Sequence, residues 1–307
     1  DRTITLPDAT GTLLNSDGSG ASLTALNATQ LTSGTVPTAR LGSGTASSST
    51  FLRGDNSWAT AGVAGISSSA DATAITINSD ETVDVSSLKR LVNYLVDNGV
   101  HGIWVSGTTG EFACLADYQR LISMETVTNE VAGRITVIGN ISGPSTQISL
   151  QMALNVQEIG MDGIAVTPPY YYSHAQDELL NHYRYISDRS GLPLWVYNIP
   201  QTVKTAVAPN TIATLASEGA VVGVKDSSGA GELLAELNVL CQQSDIPLLR
   251  FLGTAYRVTT SKSVGVQGVI PAIANLVPKA ASTGWEAGES GDLETAKQCD
   301  RILMAVS

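Results

Sequence analysis

One of the six lysines, Lys225, stands in a sequence setting that differs from that of the other five. It directly follows the apolar run GAVVGV, whereas the others lie in amphipathic or polar stretches where a solvated ammonium group is expected. Burial at the end of a strand disfavours the charged form and lowers the pKa of the amine. A neutral amine near pH 7 can attack a carbonyl carbon and form an imine. The alternative is a structural ion pair between Lys225 and Asp226.

Two phenols and a glycine-threonine turn also follow apolar runs. Tyr197 ends the run PLWVY, and a phenol there can relay protons to and from an imine carbon. The turn at 107–110 reads GTTG, so its backbone N–H groups and two hydroxyls can bind a carboxylate without a cation. Tyr171 follows the Pro-Pro pair of PPYYY. Each feature alone fits an ordinary turn or core position, but together they supply carboxylate binding, imine formation and proton transfer.

The elements that must position these groups are short apolar runs that alternate with amphipathic stretches. Seven runs follow Thr82, and an eighth, ATAITI, occupies residues 72–77. The runs are apolar on both faces, as buried parallel strands are, and the stretch VSSLKRLVNYLVDNG has helical spacing with Ser86 or Ser87 as its cap. Eight strand–helix units predict a (β/α)₈ TIM barrel over residues 71–307, with its site at the C-terminal ends of the strands. The rival is an open doubly wound sheet.

The first part of the chain has a different composition. Residues 1–70 are rich in Ser, Thr, Gly and Ala, and their apolar residues occur singly, as in LTSGTVPTARLGSGTASSST. Such a stretch buries too little surface to offset its ordering entropy as an isolated globule. The barrel is therefore expected to follow a low-complexity segment, which is either a disordered linker or a β-rich fibre that orders only by association with copies of itself.

Charge and motif content exclude several function classes. The net charge of −11 argues against nucleic acid or an anionic membrane surface as a partner. No apolar run reaches the roughly 20 residues of a transmembrane helix, and no signal peptide is recognisable. Cys114, Cys241 and Cys299 are too far apart for a zinc site and are expected to be buried free thiols. The histidines are not paired at metal-ligand spacing. A cytoplasmic protein without a metal is expected.

Residues 82–307 closely resemble the dihydrodipicolinate synthase / N-acetylneuraminate lyase family of pyruvate-dependent class I aldolases. The motifs GTTGEF, VTPPYYY, VYNIP, GVKDSSG and GVQGVIPAIANLVP stand in the family's order with matching spacing. Several ordered motifs are a far more specific signal than one isolated glycine motif. The resemblance implies a TIM barrel and a lyase that condenses pyruvate with an aldehyde, or cleaves the product, through a Schiff base.

The resemblance also implies a role for each matching residue. Lys225 forms the Schiff base with pyruvate or another 2-keto acid, Tyr197 transfers the proton, and Thr108 joins Tyr197 in a hydroxyl relay. Tyr171 matches the tyrosine that reaches into a neighbouring subunit's site, which implies a homo-oligomer. The implied substrate-binding residues are Thr109, Gly107, Gly110, Thr202 and Ile270. No metal and no organic cofactor is implied.

The sequence departs from the family pattern in three places. The family's first-strand turn is replaced by Ile75-Thr76-Ile77, so the first strand is altered. The synthases carry an arginine two residues beyond the proline of YNIP, where this chain has Thr202. This disfavours aspartate semialdehyde and favours the aldehyde of a 2-keto-3-deoxy sugar acid. The family's C-terminal helices extend beyond residue 307, which leaves the oligomer open.

A second resemblance concerns residues 20–81. LNATQLTSGTVPTARLGSG, TFLRGDNSWAT and ISSSADATAITINSDE are similar to short repeats of phage tail-fibre proteins. This resemblance leaves a second function open, that of a virion structural protein that carries an inactive or binding-only barrel. The chain would then be a natural or artificial chimera, and its location the virion. The altered first strand leaves a third function open, a degenerate barrel that folds but does not turn over.

Overall fold

A computed structural model of the protein describes residues 50–52, 58–60, 82–229, 231–254 and 258–306. The chain divides into two units, Asp1–Ala64 and Gly65–Ser307. In the first unit, β1 (Thr50–Leu52) pairs antiparallel with β2 (Trp58–Thr60). The rest of the linker or fibre segment expected from the sequence, and the strand expected at 72–77, lie outside the described residues. The expected boundary between residues 70 and 71 stays a prediction.

Parallel strands and helices alternate along the second unit. The strands are β3 (Gly102–Val105), β4 (Thr136–Asn140), β5 (Gly163–Val166), β6 (Leu194–Asn198), β7 (Gly223–Asp226), β8 (Leu249–Leu252) and β9 (Gly268–Val269). The α-helices are α1 (Val85–Asp97), α2 (Asp117–Val131), α3 (Thr146–Val156), α4 (Gln176–Ser190), α5 (Pro200–Val203), α6 (Pro209–Ser217), α7 (Glu232–Ser244), α8 (Pro278–Ser290) and α9 (Leu293–Ala305). Short 3₁₀ turns occupy Phe112–Cys114, Gln157–Ile159, Ser261–Val264 and Ala272–Asn275.

The strands of the second unit form one parallel sheet whose order follows the chain from β3 to β9. Successive strands are neighbours in the sheet, and at least one α-helix follows each strand from β3 to β7 before the next strand begins, which is the winding of a TIM barrel. The α/β class expected from the sequence is confirmed. The doubly wound alternative is wrong, because the order of the described strands never reverses and so provides no switch point.

The local sequence explains where helix α1 begins and which of its faces is buried. Its inward face carries the buried residues Leu88 and Val92 at helical spacing. The helix begins after Asp84, whose carboxylate accepts a hydrogen bond from the Ser87 N–H at 2.9 Å. The prediction that Ser86 or Ser87 caps α1 is therefore wrong. The Asp84 carboxylate accepts from both the hydroxyl and the N–H of Ser87, and these hydrogen bonds lower its pKa to about 2.

The sheet packs differently on its two faces. Outward side chains such as Val196 and Val224 join the main hydrophobic core beneath the helices. Inward side chains such as Ile138 and Trp195 form a separate cluster on the concave side. Gly223 lies opposite Trp195 in the β6–β7 pairing, and a Cβ there would collide with the indole ring. Large aromatic side chains therefore fill the concave side where glycine on the next strand makes room for them.

The expectation that all three cysteines are buried is only partly confirmed. Cys241 and Cys299 are buried free thiols, but Cys114 is exposed because it lies on the short 3₁₀ turn after loop 107–110. No helix in the described part of the chain has both the length and the apolar character needed to span a membrane. Within the same residues, no group of three or more His, Cys, Asp or Glu side chains could hold a metal ion. The cytoplasmic location stays a prediction.

Candidate active site

Lys225 lies on β7 and points to the concave side of the sheet. Its register neighbours are Tyr197 on β6 and Phe251 on β8. The residue is only 7% exposed, and burial lowers the pKa of its amine to about 7. Near neutral pH a substantial fraction of the amine is therefore neutral, which is the form that attacks a carbonyl carbon.

The surroundings of the Lys225 amine are aromatic. Nζ lies 4.4 Å from the ring centroid of Tyr197 and 5.1 Å from that of Trp104. The ion pair with Asp226 that the sequence left open is not formed. Instead, the Asp226 carboxylate lies on the outward side of β7, where it accepts a hydrogen bond from Asn198 Nδ2 at 2.8 Å. Burial without an anionic partner favours the neutral amine.

Tyr197 and Thr108 form a hydroxyl pair next to this amine. Tyr197 lies on β6 and is only 2% exposed, and its Oη is 2.8 Å from Thr108 Oγ1. Burial raises the pKa of the phenol, and hydrogen bonds with Thr108 and Ser227 partly oppose this shift. The phenol therefore keeps its proton at neutral pH and can exchange it with a substrate or with the Thr108 hydroxyl.

The loop 107–110 is fixed by the residues on either side of it. Ser106, just before the loop, has a φ of +56°, and its carbonyl oxygen accepts a hydrogen bond from Asn140 Nδ2 at 2.7 Å. A Cβ at Gly107 would lie 3.1 Å from Cδ1 of Trp104. Glycine at this position therefore lets the loop lie directly against the indole ring.

These groups line one cavity of about 630 Å³. The predicted residues that line it are Lys225, Tyr197, Thr108, Thr109, Gly107, Gly110 and Ile270. The volume suits a small organic ligand. Among the described lining residues, Lys225 is the only basic side chain and none is acidic. A carboxylate in this cavity would therefore be held by N–H groups and hydroxyls, together with whatever charge the amine carries.

Two of the predicted site residues lie outside this lining. Thr202 on α5 is exposed, and its hydroxyl donates to the Ile199 carbonyl oxygen at 3.0 Å. Its neighbour Gln201 lines the cavity instead and donates from Nε2 to the Ser227 carbonyl oxygen at 2.7 Å. Tyr171 is 80% exposed and has a φ of +90°, which is strained for a non-glycine residue. The roles assigned to Thr202 and Tyr171 stay predictions.

Trp104, Gln201 and Ser227 are among the lining residues that the set derived from the sequence lacks. Trp104 lies inside an apolar run, where an aromatic residue is ordinarily part of the core. Strand alternation could have identified it, because an inward side chain on β3 must face the same interior as the inward side chains of β6 and β7. Ser227 follows Lys225 by two residues and so shares its side of the strand end.

A second buried network lies on the outward side of the same strand ends. Asn198 and Asp226 are fully buried. Asn198 Oδ1 accepts a hydrogen bond from the Val207 N–H at 3.0 Å, while its Nδ2 donates to Asp226. Burial raises the pKa of the Asp226 carboxyl, and its hydrogen bonds oppose this shift. The network ties β6, β7 and the segment before α6 together, and so fixes the strands that carry Tyr197 and Lys225.

The cavity thus combines three chemical functions. A buried amine that is partly neutral near pH 7 can add to a carbonyl carbon, and the carbinolamine that forms can lose water to give an imine. A protonated phenol with a hydroxyl partner can carry the protons that these steps release and consume. A turn rich in N–H donors can hold a carboxylate next to the reacting carbonyl. This combination is suited to Schiff-base chemistry on a 2-keto acid.

Comparison with known proteins is consistent with this chemistry. The model of the dihydrodipicolinate synthetase family matches residues 65–307. The 4-hydroxy-tetrahydrodipicolinate synthase of Trichlorobacter lovleyi is 32% identical over 226 residues, which cover 73% of this chain and 77% of that protein. The dihydrodipicolinate synthase structure from Thermotoga maritima is 30% identical with a TM-score of 0.71, and the match covers 76% of this chain and 79% of that chain.

A more distant structure supports the fold alone. YagE, a prophage protein of the dihydrodipicolinic acid synthase family from E. coli K12, was solved in complex with pyruvate. It is 23% identical with a TM-score of 0.71, and the match covers 76% of this chain and 78% of that chain. None of these comparisons supports the fibre-like resemblance of residues 20–81. The family match does include the strand expected at 72–77.

Proposed function

The chain belongs to the dihydrodipicolinate synthetase family, and from this premise we propose that it is a pyruvate-dependent lyase that works through a Schiff base on Lys225. One observation carries the proposal: a buried amine with a pKa of about 7 lies in the same cavity as the Tyr197–Thr108 hydroxyl pair. An exposed lysine would be an ammonium ion at neutral pH and would attack a carbonyl slowly.

The reaction follows from the placement of these groups. Lys225 Nζ attacks the keto carbon of pyruvate, and the carbinolamine that forms loses water to leave an iminium ion. Loss of a proton from the adjacent methyl carbon gives an enamine, whose carbon attacks an aldehyde while the aldehyde oxygen takes up a proton. Hydrolysis of the iminium releases the product and restores the amine. Tyr197 carries these protons, with Thr108 as its hydrogen-bond partner.

Loop 107–110 is assigned to the carboxylate of pyruvate. Thr109, Gly107 and Gly110 line the cavity together with Thr108, and Ile270 bounds it from β9's end of the sheet. Backbone N–H groups and hydroxyls can bind a carboxylate through several hydrogen bonds without a fixed cation. Since the cavity lining holds no second basic side chain among the described residues, the acceptor aldehyde has no dedicated partner for a second carboxylate.

This absence favours an uncharged, hydroxylated aldehyde. Gln201, Ser227 and Asn275 present neutral polar groups to the cavity, and such groups suit hydroxyls better than a carboxylate. We therefore assign the chain to cleavage or formation of a 2-keto-3-deoxy sugar acid, although the relatives named above are 4-hydroxy-tetrahydrodipicolinate synthases. Turnover of such a sugar acid should exceed condensation of pyruvate with aspartate semialdehyde. The opposite ranking in a coupled assay would contradict this assignment but leave the Schiff base intact.

Tyr171 supports an oligomer as part of the proposal. Both Tyr171 and Tyr172 are more than 70% exposed, and their rings contact each other at 5.0 Å. An exposed aromatic pair on a strained backbone is typical of a contact with another protein. A second copy of the chain would cover this pair and bring Tyr171 to its site. Sedimentation of the wild type and of Tyr171→Ala should show a homo-oligomer that the substitution weakens.

Covalent trapping tests the central step. Pyruvate plus borohydride should add a reduced pyruvyl group to the peptide that contains Lys225. Lys204 provides the matched control, because it is exposed and follows the cavity residue Gln201 by only three positions. The Lys204→Met variant should trap pyruvate as the wild type does. A wild-type protein whose Lys225 peptide stays unmodified would reject the proposed function.

A further inference from the structure

Trp104 contacts each part of the proposed chemistry. Its ring presents a face to Lys225 Nζ, with 5.1 Å between the nitrogen and the ring centroid. It packs edge-to-face against Tyr197 at 5.5 Å, and its Cδ1 carbon lies beneath Gly107. A single indole therefore supports the amine, the phenol and the turn that is assigned to the carboxylate.

The reaction requires different charge states of the Lys225 nitrogen at different steps. The amine must be neutral to attack, but the imine must be protonated to withdraw electrons from the neighbouring carbon. Desolvation favours the first state and penalises the second, because it disfavours any positive charge on nitrogen. Among the described residues, no carboxylate pairs with Nζ to offset that penalty. Some other group must stabilise the cation.

We propose that the ring face of Trp104 stabilises the positive charge of the protonated Lys225 imine, and that Trp104 is thereby a further residue of the reaction. The electron-rich face of an aromatic ring attracts a cation within about 6 Å of its centroid, and tryptophan does so most strongly. Tyr197 presents a second face at 4.4 Å, so the nitrogen lies between two rings. The inference rests on the proposed function and deepens it.

The indole is poorly explained as a simple core residue. Its Nε1–H is buried and has no hydrogen-bond partner among the described residues. Burying an unpartnered donor costs free energy that phenylalanine or leucine would not cost. Packing in the core alone does not explain why this donor is buried. A cation on Nζ, by contrast, is stabilised more strongly by the larger and more electron-rich ring of tryptophan.

A series of variants at position 104 distinguishes the electrostatic effect of the ring from the effect of its size. Trp104→Phe keeps a ring, and phenylalanines that carry one, two or three fluorines can be introduced at the same position. Fluorine withdraws electrons from the ring face while the ring keeps nearly the same size. The dissociation constant of the pyruvate adduct should rise with each fluorine, and Trp104→Leu should raise it roughly tenfold over the wild type.

The free amine provides a second measurement that does not depend on pyruvate. Cyanate carbamylates only neutral amines, so the pH dependence of carbamylation at Lys225 reports how readily Nζ takes up a proton. Weakening the ring should move the midpoint to lower pH, by about one pH unit for Trp104→Leu. Entry of water into a loosened core would instead move the carbamylation midpoint to higher pH, because hydration of Nζ favours its protonated form.

Phe251 provides the matched control. It lies beside Lys225 in the β7–β8 register and packs against Trp195 at 5.1 Å, so Phe251→Leu removes an aromatic ring from the same interior. This variant should keep the wild-type midpoint. Adduct constants and midpoints that stay flat across the fluorinated series would overturn the role of Trp104. Failure of the wild type to trap pyruvate at all, with the midpoints still shifting, would reject the proposed function and with it the imine, and would leave Trp104 a role only toward the free ammonium.

Discussion

Adjacent residues on β6 and β7 bury polar side chains on opposite faces of the sheet, with different contacts on each face. Tyr197 and Lys225 face inward, where the amine has aromatic neighbours and no ion pair. Asn198 and Asp226 are the next residues along and face outward, where hydrogen bonds join them to each other. All four are buried. The clearest difference is between the amine of Lys225, which has no ion pair among the described residues, and Asp226 Oδ1, which accepts hydrogen bonds from Asn198 Nδ2 and the Ser228 N–H, although Asp226 Oδ2 has no partner there.

Burial of a polar group has different consequences for stability and for reactivity on these two faces. A buried polar group without partners costs free energy, but it stays chemically available. A buried polar group with partners rigidifies the structure and has little left to offer a substrate. The inward face would thus be the reactive face and the outward face its support. Each of the following predictions tests one side of that comparison.

Removing the inward amine should have the largest effect. Lys225→Met keeps a side chain of similar length and deletes the nucleophile, so turnover should fall by roughly 10³-fold or more. Steady-state assay with a 2-keto-3-deoxy sugar acid measures the loss. Asn198→Ala, on the outward face of the neighbouring strand, is the comparison and should keep most of the activity. Equal losses in the two variants would mean that the two faces do not differ in function.

Removing the inward phenol should have the next largest effect. Tyr197→Phe keeps the ring that faces Lys225 and deletes only the hydroxyl that lies 2.8 Å from Thr108 Oγ1. General acid–base catalysis typically contributes about 10²–10⁴-fold, so kcat should fall in that range. Trapping of pyruvate at equilibrium should persist, since the amine remains. A variant that turns over normally would remove the phenol from the mechanism.

The same inward amine should destabilise the fold in a pH-dependent way. The unfolded chain protonates Lys225 up to about pH 10.5, but burial lowers the folded pKa to about 7. Between these values the unfolded state binds more protons, so wild-type stability rises with pH across this window. Lys225→Met should therefore be more stable than the wild type, most of all below pH 7, and the difference should shrink toward pH 10. Denaturant titrations at several pH values measure this difference. A difference in stability that does not change with pH would contradict the lowered pKa of Lys225 in the folded state.

Much of this arrangement was accessible from the sequence. Apolar runs on both faces predict parallel strands, and the positions of Tyr197, Lys225 and loop 107–110 after such runs predict a shared site. The order of the described strands confirms the sheet that this reasoning requires. A lysine directly after an apolar run predicts burial and a lowered pKa, but the ion pair with Asp226 stayed open until the structure placed the Asp226 carboxylate on the outward side of β7.

Other parts depend on contacts that no local pattern records. Trp104 is one apolar residue among several in its run, and only its place opposite β6 and β7 makes it a neighbour of the amine. The Asn198–Asp226 pair joins residues 28 positions apart. Thr202 and Gln201 differ by one position on a short helix, and the turn geometry decides which of them reaches the cavity. Long-range packing, not residue type, settles such cases.

The smallest effect in this comparison should come from the outward face. Asn198→Ala removes the donor to Asp226 Oδ1 and the acceptor for the Val207 N–H. Leaving such buried groups without partners costs about 1–3 kcal/mol each, so the free energy of unfolding should fall by a few kcal/mol at most. Denaturant titration at pH 7 measures this loss, which is opposite in sign to the gain expected for Lys225→Met.

The pH profile decides whether the outward network acts only as support. Asn198 does not contact Lys225 Nζ, so the Asn198→Ala variant should carbamylate at Lys225 with the wild-type midpoint even though it unfolds more easily. A midpoint that moves toward pH 10 would show that loss of the network admits water to the amine, because hydration restores the ordinary pKa of a lysine. The two faces would then be coupled, and the reactive state of Lys225 would depend on the Asn198–Asp226 hydrogen bond behind it.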